Sequence, residues 1–348
     1  MPEYLRILLA FVLGAVPAIV LCRLVIFLGV VDAPTEARKT QKAPVPTLGG
    51  VGVAAAAALS ATIVSLLTAW PPSDSTLITF AGALAALALG LADDTMRVPA
   101  TARLLAMLAI ALGVTVLGVR AGDLEPWPDL VLDLHIALAV LGSVIWLVVV
   151  MNAVNFMDGA NGLSMGMAAI ASVGLAAAAS LIGAWSIALL AAALAGALAG
   201  FLVWNVSGKL FVGDTGALFA GTLLGALCLE LVRLRPDLLF VPPILLMPFL
   251  SDVLLTLIWR MRHRKKIAEA HRDHVYQIAL KAGLKHWQVS AIHAFWALNA
   301  AIIGIVAAIV GGQVPLLAFL VVLAVAVWVH AWVRKLGVKA GLVGAEIA

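Results

Sequence analysis

Asp93 and Asp94 stand side by side directly after the apolar run Leu84 to Ala92. Adjacent carboxylates repel one another, so one of such a pair can hold or accept a proton near neutral pH. Both fall where a helix would end, and a helix C-terminus disfavours negative charge, which calls for a compensating metal or basic partner. Three further polar blocks interrupt apolar runs. Asn152-Ala-Val-Asn155-Phe-Met-Asp158-Gly-Ala-Asn161-Gly162 offers amides that donate to and accept from a base, sugar or phosphate, with glycines that admit close backbone approach. Phe211-Val-Gly213-Asp214-Thr215-Gly216 leads straight into the run from Ala217, so a helix N-terminus would point its N–H groups at a phosphate. A carboxylate beside a phosphate usually shares it with Mg²⁺, and the block is not a Walker A loop. In His271-Arg272-Asp273-His274 the two histidines share a face if helical, and Arg272 can grip a diphosphate bidentately.

Each block alone has a plainer reading, as a solvated helix end or an ordinary turn. Arg260 to Lys266 is accounted for by anchoring at anionic headgroups. What raises the four above that level is cost. A carboxylate near a bilayer costs roughly 2.5–3.5 kcal/mol on insertion scales, and the elements that must hold these groups are membrane spans.

The chain has 348 residues, 64% hydrophobic and 11% charged, with a mean hydropathy of +1.13. That leaves too little polar surface for a water-soluble globule, and runs of twenty apolar residues exclude a porin-like barrel. The fold class expected is all-α, a polytopic integral membrane protein with about eleven transmembrane helices in a single catalytic domain. The spans read near 4–30, 48–69, 76–92, 102–118, 134–151, 162–182, 184–204, 215–231, 238–260, 289–310 and 313–333. The polar blocks then occupy loops near 31–47, 93–101, 152–161, 205–214 and 261–288. Alternate loops collect Arg38, Lys39 and Lys42, then Arg97 and Arg103, Lys209, the cluster from Arg260 to Lys285, and Arg334, Lys335 and Lys339. The opposite side carries Arg120, Arg233 and Arg235 beside Asp123, Glu125, Asp129 and Asp133. Positive charge inside therefore predicts N-out, C-in, with every block on the inner face. The two cysteines, Cys22 and Cys228, lie in apolar runs and build neither a disulfide framework nor a metal site. Glycine pairs four apart, Gly162/Gly166, Gly196/Gly200 and Gly221/Gly225, predict close helix packing only.

Taken in this order, and with Lys42-Ala-Pro-Val-Pro46-Thr47-Leu-Gly49-Gly50 as a fifth block, these motifs resemble the polyprenyl-phosphate N-acetylhexosamine-1-phosphate transferase family, to which the phospho-N-acetylmuramoyl-pentapeptide transferase is related. The resemblance spans residues from about 38 to 277. It implies Mg²⁺-dependent transfer (Mn²⁺ being the alternative ion) of a sugar-1-phosphate from a UDP-N-acetylhexosamine to undecaprenyl phosphate at the cytoplasmic face of a bacterial inner membrane. The products are UMP and a lipid-diphosphate sugar. Carried onto this chain, it makes Asp214 a Mg²⁺ ligand on the donor diphosphate, and Asp93 or Asp94 the group that takes the acceptor's proton, Asp94 also being a candidate metal ligand. It lines the nucleotide-sugar pocket with Asn152, Asn155 and Asp158, puts His271, Arg272 and His274 on phosphate or sugar, makes Lys42 a candidate for the lipid phosphate, and adds Thr47 to the substrate-binding residues. Val275-Tyr276-Gln277 after His274, where the muramoyl-pentapeptide branch carries a histidine triplet, looks closer to transferases that start O-antigen or similar surface glycans, some from 6-deoxy-N-acetylhexosamines. A homodimer stays open, and no nucleic acid is expected as a partner.

Two alternatives stand beside this reading, the muramoyl-pentapeptide transferase and a secondary transporter, which would place its acids near the bilayer midplane. A CDP-alcohol phosphotransferase is excluded by its signature, since Asp158-Gly159 continues Ala160-Asn161-Gly162.

Overall fold

A computed structural model describes residues 2–32, 44–68, 72–266 and 271–343. The chain is an all-α polytopic membrane protein. Its helices are α1 (Glu3–Leu28), α2 (Gly49–Thr68), α3 (Asp74–Met96), α4 (Ala100–Val116), α5 (Ile136–Phe156), α6 (Leu163–Leu181), α7 (Trp185–Asn205), α8 (Gly213–Leu234), α9 (Val241–Leu245), α10 (Met247–Arg262), α11 (Val275–Lys281), α12 (His286–Val310) and α13 (Val314–Lys339). Among the described residues, nine helices are long and apolar enough to cross a bilayer. α4, at 17 residues, is shorter.

The continuous span expected over 238–260 is instead broken: Pro236–Leu245 and Met247–Arg262 meet at 75°. Pro242, Pro243 and Pro248 lack the N–H groups a continuous helix needs there, and the break turns α10 away from the axis of α9. The acidic loop after α4 is likewise more ordered than a loop. β3 (Asp123–Trp127) pairs antiparallel with β4 (Leu130–Asp133) around a Pro128-Asp129 turn in which Asp129 takes φ +65°. A second small ribbon joins β1 (Val31–Asp32) to β2 (Val45–Pro46).

α8 is the axis of the bundle, buried at every residue from Thr215 to Val232. It packs on α3 and α5, while α7 packs on α1 and α6. Small residues set these distances. A Cβ at Gly196 or Gly200 would meet the Phe11 or Ala15 carbonyl of α1 at 2.0 or 2.2 Å, and one at Gly221 would sit 3.0 Å from Met151 Cα. Two of the three expected glycine pairs therefore bring helices together. In the third, Gly166 has nothing within reach and Gly162 takes φ +79° at the start of α6. The C-termini of α3, α5, α7, α10 and α13 and the N-termini of α2, α4, α6, α8 and α12 share one end of the bundle, and the β3–β4 hairpin lies at the other.

Candidate active site

α8 begins with a sharp entry. Gly213 takes φ +71°, and a Cβ there would come within 2.3 Å of Asp94 Oδ2, so a side chain would both strain this turn and displace the Asp94 carboxylate. Asp94 spends its carboxylate on α8: the N–H of Asp214 donates to Oδ1 (2.9 Å), and the N–H and hydroxyl of Thr215 donate to Oδ2 (3.0 and 2.6 Å). Free N–H groups of an N-terminal turn are thus capped from a neighbouring helix, by a negative charge at the positive end of the α8 dipole.

Asp93 points the other way. It accepts from Val98 N–H (2.8 Å) and from Arg103 Nη1 (2.6 Å), and the same guanidinium nitrogen donates to Asp214 Oδ2 at 3.0 Å. Asn155 Nδ2 donates to Asp214 Oδ1 at 2.7 Å. The cluster therefore draws on four helices, α3, α4, α5 and α8; Asp214 and Arg103 remain partly open, 30% and 26% exposed, while Asp93 is 9% exposed. The compensating cation that adjacent acids at a helix C-terminus require is Arg103 for Asp93 and the α8 dipole for Asp94.

Asp158, in the turn between α5 and α6, lies near enough to these acids to respond to them. Burial, then the charges of Asp214 and Asp94, push its carboxyl up to about 8. Residues 46–50, at the start of α2, also reach the site. Phe211 N–H donates to the Pro46 carbonyl (2.8 Å), and Gly49 and Gly50 N–H donate to Phe211 and Val212 carbonyls (both 2.9 Å). Thr47 is brought beside Gly213, its hydroxyl 3.1 Å from where a Cβ would be. Lys42 lies outside the described residues. Asn152 does not join the cluster, its Nδ2 bonding the Val148 carbonyl of its own helix (2.8 Å).

The His271–His274 segment packs against the same turn. Tyr276, buried at the start of α11, donates its hydroxyl to the Phe156 carbonyl (3.1 Å), and a Cβ on Gly159 would strike that hydroxyl. The Phe156 and His274 rings lie 6.1 Å apart and those of His271 and His274 5.1 Å. Burial, then the Arg260 charge, push His271 down to about 4, so at neutral pH it is a neutral donor and acceptor rather than a cation. Asp252 of α10 anchors the segment, accepting from His274 Nδ1 (3.2 Å), Val275 N–H (2.9 Å) and Tyr276 N–H (3.2 Å).

Two expectations about charge change here. Arg260, expected among the headgroup-anchoring residues, is 4% exposed and paired with Asp273, because it lies on the inward face of α10. Arg334, expected as a marker of an inner terminus, is 5% exposed within the bundle. Arg103, Asp252, Arg260 and Tyr276 were not singled out from the sequence as site residues. Asp252 carried a signal, since it is an acid inside the apolar run from Val241 to Ile258; Arg103 carried none beyond a basic residue at a helix start.

Among the described residues no three His, Cys, Asp or Glu side chains converge as a metal cage. Mg²⁺ does not need one: it is held through one or two carboxylates plus substrate phosphates, retaining waters. Asp93 and Asp214, bridged by a cation and backed by an amide, are a hard-oxygen set that fits such an ion.

Fold and site together define a multi-pass helical membrane protein with Asp93, Arg103, Asn155 and Asp214 clustered at one end of the bundle. Residues 76–232 match the model of glycosyl transferase family 4, and this segment holds Asp93, Asp94, Arg103, Asn155, Asp158 and Asp214. The chain is also similar to a probable undecaprenyl-phosphate N-acetylglucosaminyl 1-phosphate transferase of Bacillus subtilis (strain 168), 27% identical over 171 residues that cover 48% of this chain and 46% of that protein. The chain thus spans about half the length of the curated relative it matches.

Proposed function

We propose that the protein transfers an N-acetylhexosamine-1-phosphate, GlcNAc or a 6-deoxy-N-acetylhexosamine, from a UDP-sugar to undecaprenyl phosphate, releasing UMP and starting a surface glycan. The observation that carries this reading is the single-ended cluster of Asp93, Arg103, Asn155 and Asp214 at the N-terminus of the buried helix α8. A cation and an amide beside two carboxylates at a helix N-terminus suit a phosphate with its metal ion, which supports this reading. A transporter would need such acids at mid-depth.

In this reading Asp214 and Asp93 would hold a Mg²⁺ ion, which would supply neutralisation of the charge developing on the phosphoryl oxygens. Arg103 turns from the carboxylates to the phosphates when donor enters. Asp93 accepts the proton of the acceptor phosphate. Asp94 works indirectly, holding the first turn of α8 so that Asp214 faces the substrate. Asp158 and Asn155 line the nucleotide-sugar side, Asn152 stands behind them, and Thr47 lies on the side of the inner loop. Arg272 grips phosphate, with neutral His271 and the adjacent His274 ring as hydrogen-bonding neighbours. The lipid phosphate, already anionic, attacks the donor's β-phosphorus directly, the P–O bond to UMP breaks, and no covalent enzyme intermediate forms. Positioning and charge neutralisation supply the rate.

The test is a donor screen in detergent with undecaprenyl phosphate, following radiolabel from UDP-sugars into butanol-extractable lipid. Label from a UDP-N-acetylhexosamine is the expected result, and no label from any UDP-sugar overturns the reading. Phosphosugar trapped on Asp93 without lipid overturns direct attack alone.

A further inference from the structure

The His271–His274 segment is held by two helices, α10 and α13. Asp252 of α10 accepts from His274 Nδ1 and from the Val275 N–H that follows it, Arg260 of α10 pairs with the Asp273 carboxylate, and Arg334 of α13 donates Nη2 to the Asp273 carbonyl at 2.7 Å. The same Nη2 donates to Thr256 Oγ1 at 2.6 Å, Nε approaches His330 Nε2 at 3.3 Å, and the guanidinium lies 4.4 Å over the Trp259 ring. Nη1 is buried and has no hydrogen-bond partner among the described residues.

This is a poor way to stabilise a fold. A buried cation with an unmade hydrogen bond carries a desolvation cost, and a packed apolar residue of similar volume is often neutral or stabilising in its place. Placement accounts for it better: Arg334 fixes the carbonyl between Arg272 and His274, so the two flanking side chains have one backbone geometry. Lys281 adds a second tie, donating Nζ to the Arg272 carbonyl at 2.7 Å. We propose that Arg334, which lies outside the segment matched by the family, is a positioning residue for His271, Arg272 and His274. It acts through Asp273 and Thr256 without touching substrate. The proposal rests on the reading of that segment as the wall that holds donor phosphate or sugar.

The experiment uses the purified full-length chain in detergent and compares Arg334→Met and Arg334→Lys with the parent protein. Amide hydrogen exchange at 274–276 is expected to speed up roughly 10-fold or more in Arg334→Met while α8 keeps its protection. In the transfer assay KM for the UDP-sugar is expected to rise ~10-fold, with kcat within ~3-fold, as for lost ground-state binding. Arg334→Lys, which keeps one donor, is expected to recover part of both. Exchange at 274–276 that is unchanged, or that rises equally in α8, overturns the proposal. If Arg334→Met fails to insert, Thr256→Val removes the hydroxyl that orients the guanidinium and is expected to show the same local loss. Should the parent protein transfer no sugar, the proposed function falls, while the exchange measurement still decides whether Arg334 positions the segment.

Discussion

α8 carries one acid at each end, and both face α3. Asp214, at the N-terminus, is 30% exposed and bound by Arg103 from α4 and Asn155 from α5. Glu230, four turns further on, is 2% exposed, and its two oxygens accept from the Ser75 and Thr79 hydroxyls at 2.7 and 2.6 Å. Glu230 is closed in a narrower sense: short, neutral donors on the first turns of α3 satisfy each of its oxygens. Asp214 is open: its partners are an amide and a long, partly exposed cation that can move. Two carboxylates on one helix, each costly to bury, thus differ in whether their partners can be exchanged for substrate. That difference, more than burial, separates a site from a fastening.

The largest effect expected from this contrast is on activity. Asp214→Asn should reduce transfer at saturating Mg²⁺ at least ~10-fold, about 1.4 kcal/mol, since an amide cannot replace an anionic ligand. Glu230→Gln should leave kcat/KM within ~3-fold. Equal losses in the two variants would break the comparison, and the radiolabel assay reads both.

Next in size is the division between the neighbouring acids. Asp93→Asn should lower kcat while the melting temperature in detergent holds. Asp94→Ala should lower both, because removing a cap from a helix N-terminus costs about 1–2 kcal/mol and lets Asp214 drift. A stable Asp94→Ala protein with unchanged KM and depressed kcat would instead make Asp94 the proton acceptor.

That division was not legible in the sequence, where Asp93 and Asp94 read alike. The helical, multi-pass architecture was, because apolar runs of about twenty residues between polar breaks leave a bilayer chain few other solutions. So was the gathering of four blocks at one end, which charge bias alone implies. Hidden were the features that depend on which way a side chain leaves its helix. Adjacent residues on a helix project about 100° apart, which sends Asp93 to Arg103 and Asp94 to α8. Arg260 and Arg334 sit in basic clusters that read as membrane anchors, and only the packing of α10 on α13 shows them turned inward. The break at 245–247 was foreshadowed by three prolines. Asp252 and Glu230 were within reach of the same cost argument that picked out Asp214, but neither lies beside a motif.

Stability should then report on the closed end. Glu230→Gln removes one acceptor from buried hydroxyls, at a cost of about 1–3 kcal/mol, read as a lower melting temperature in detergent. No change in melting would mean that Glu230 too is exchangeable.

A smaller, pH-dependent effect belongs to the open end. Asp158, pushed up to about 8, keeps its proton in the folded protein at pH values where the unfolded chain has lost it. The folded state therefore binds more protons than the unfolded state from the ordinary carboxylate range up to about 8, so this group's contribution favours folding less as pH rises through that window. Asp158→Asn should flatten the fall of melting temperature between pH 5 and pH 8, an effect on the order of 1 kcal/mol per pH unit. An unchanged slope would mean that the proton sits elsewhere.

The smallest effect tests whether Glu230 is closed by its hydroxyls or by charge. Arg233 Nη2 lies 3.8 Å from Glu230 Oε2 and 3.3 Å from Ser75 Oγ, with its side chain 37% exposed. At that distance, and wetted, an ion pair contributes about 0–0.5 kcal/mol and is weakened by salt. The Ser75 and Thr79 hydroxyls need no help from it, because they already donate one hydrogen bond to each carboxylate oxygen. Arg233→Gln should therefore shift the melting temperature by no more than a degree or two, at low and high salt alike. A loss as large as that of Glu230→Gln, shrinking in high salt, would show that a cation holds the carboxylate at this end as Arg103 does at the other. The two ends of α8 would then differ in accessibility alone.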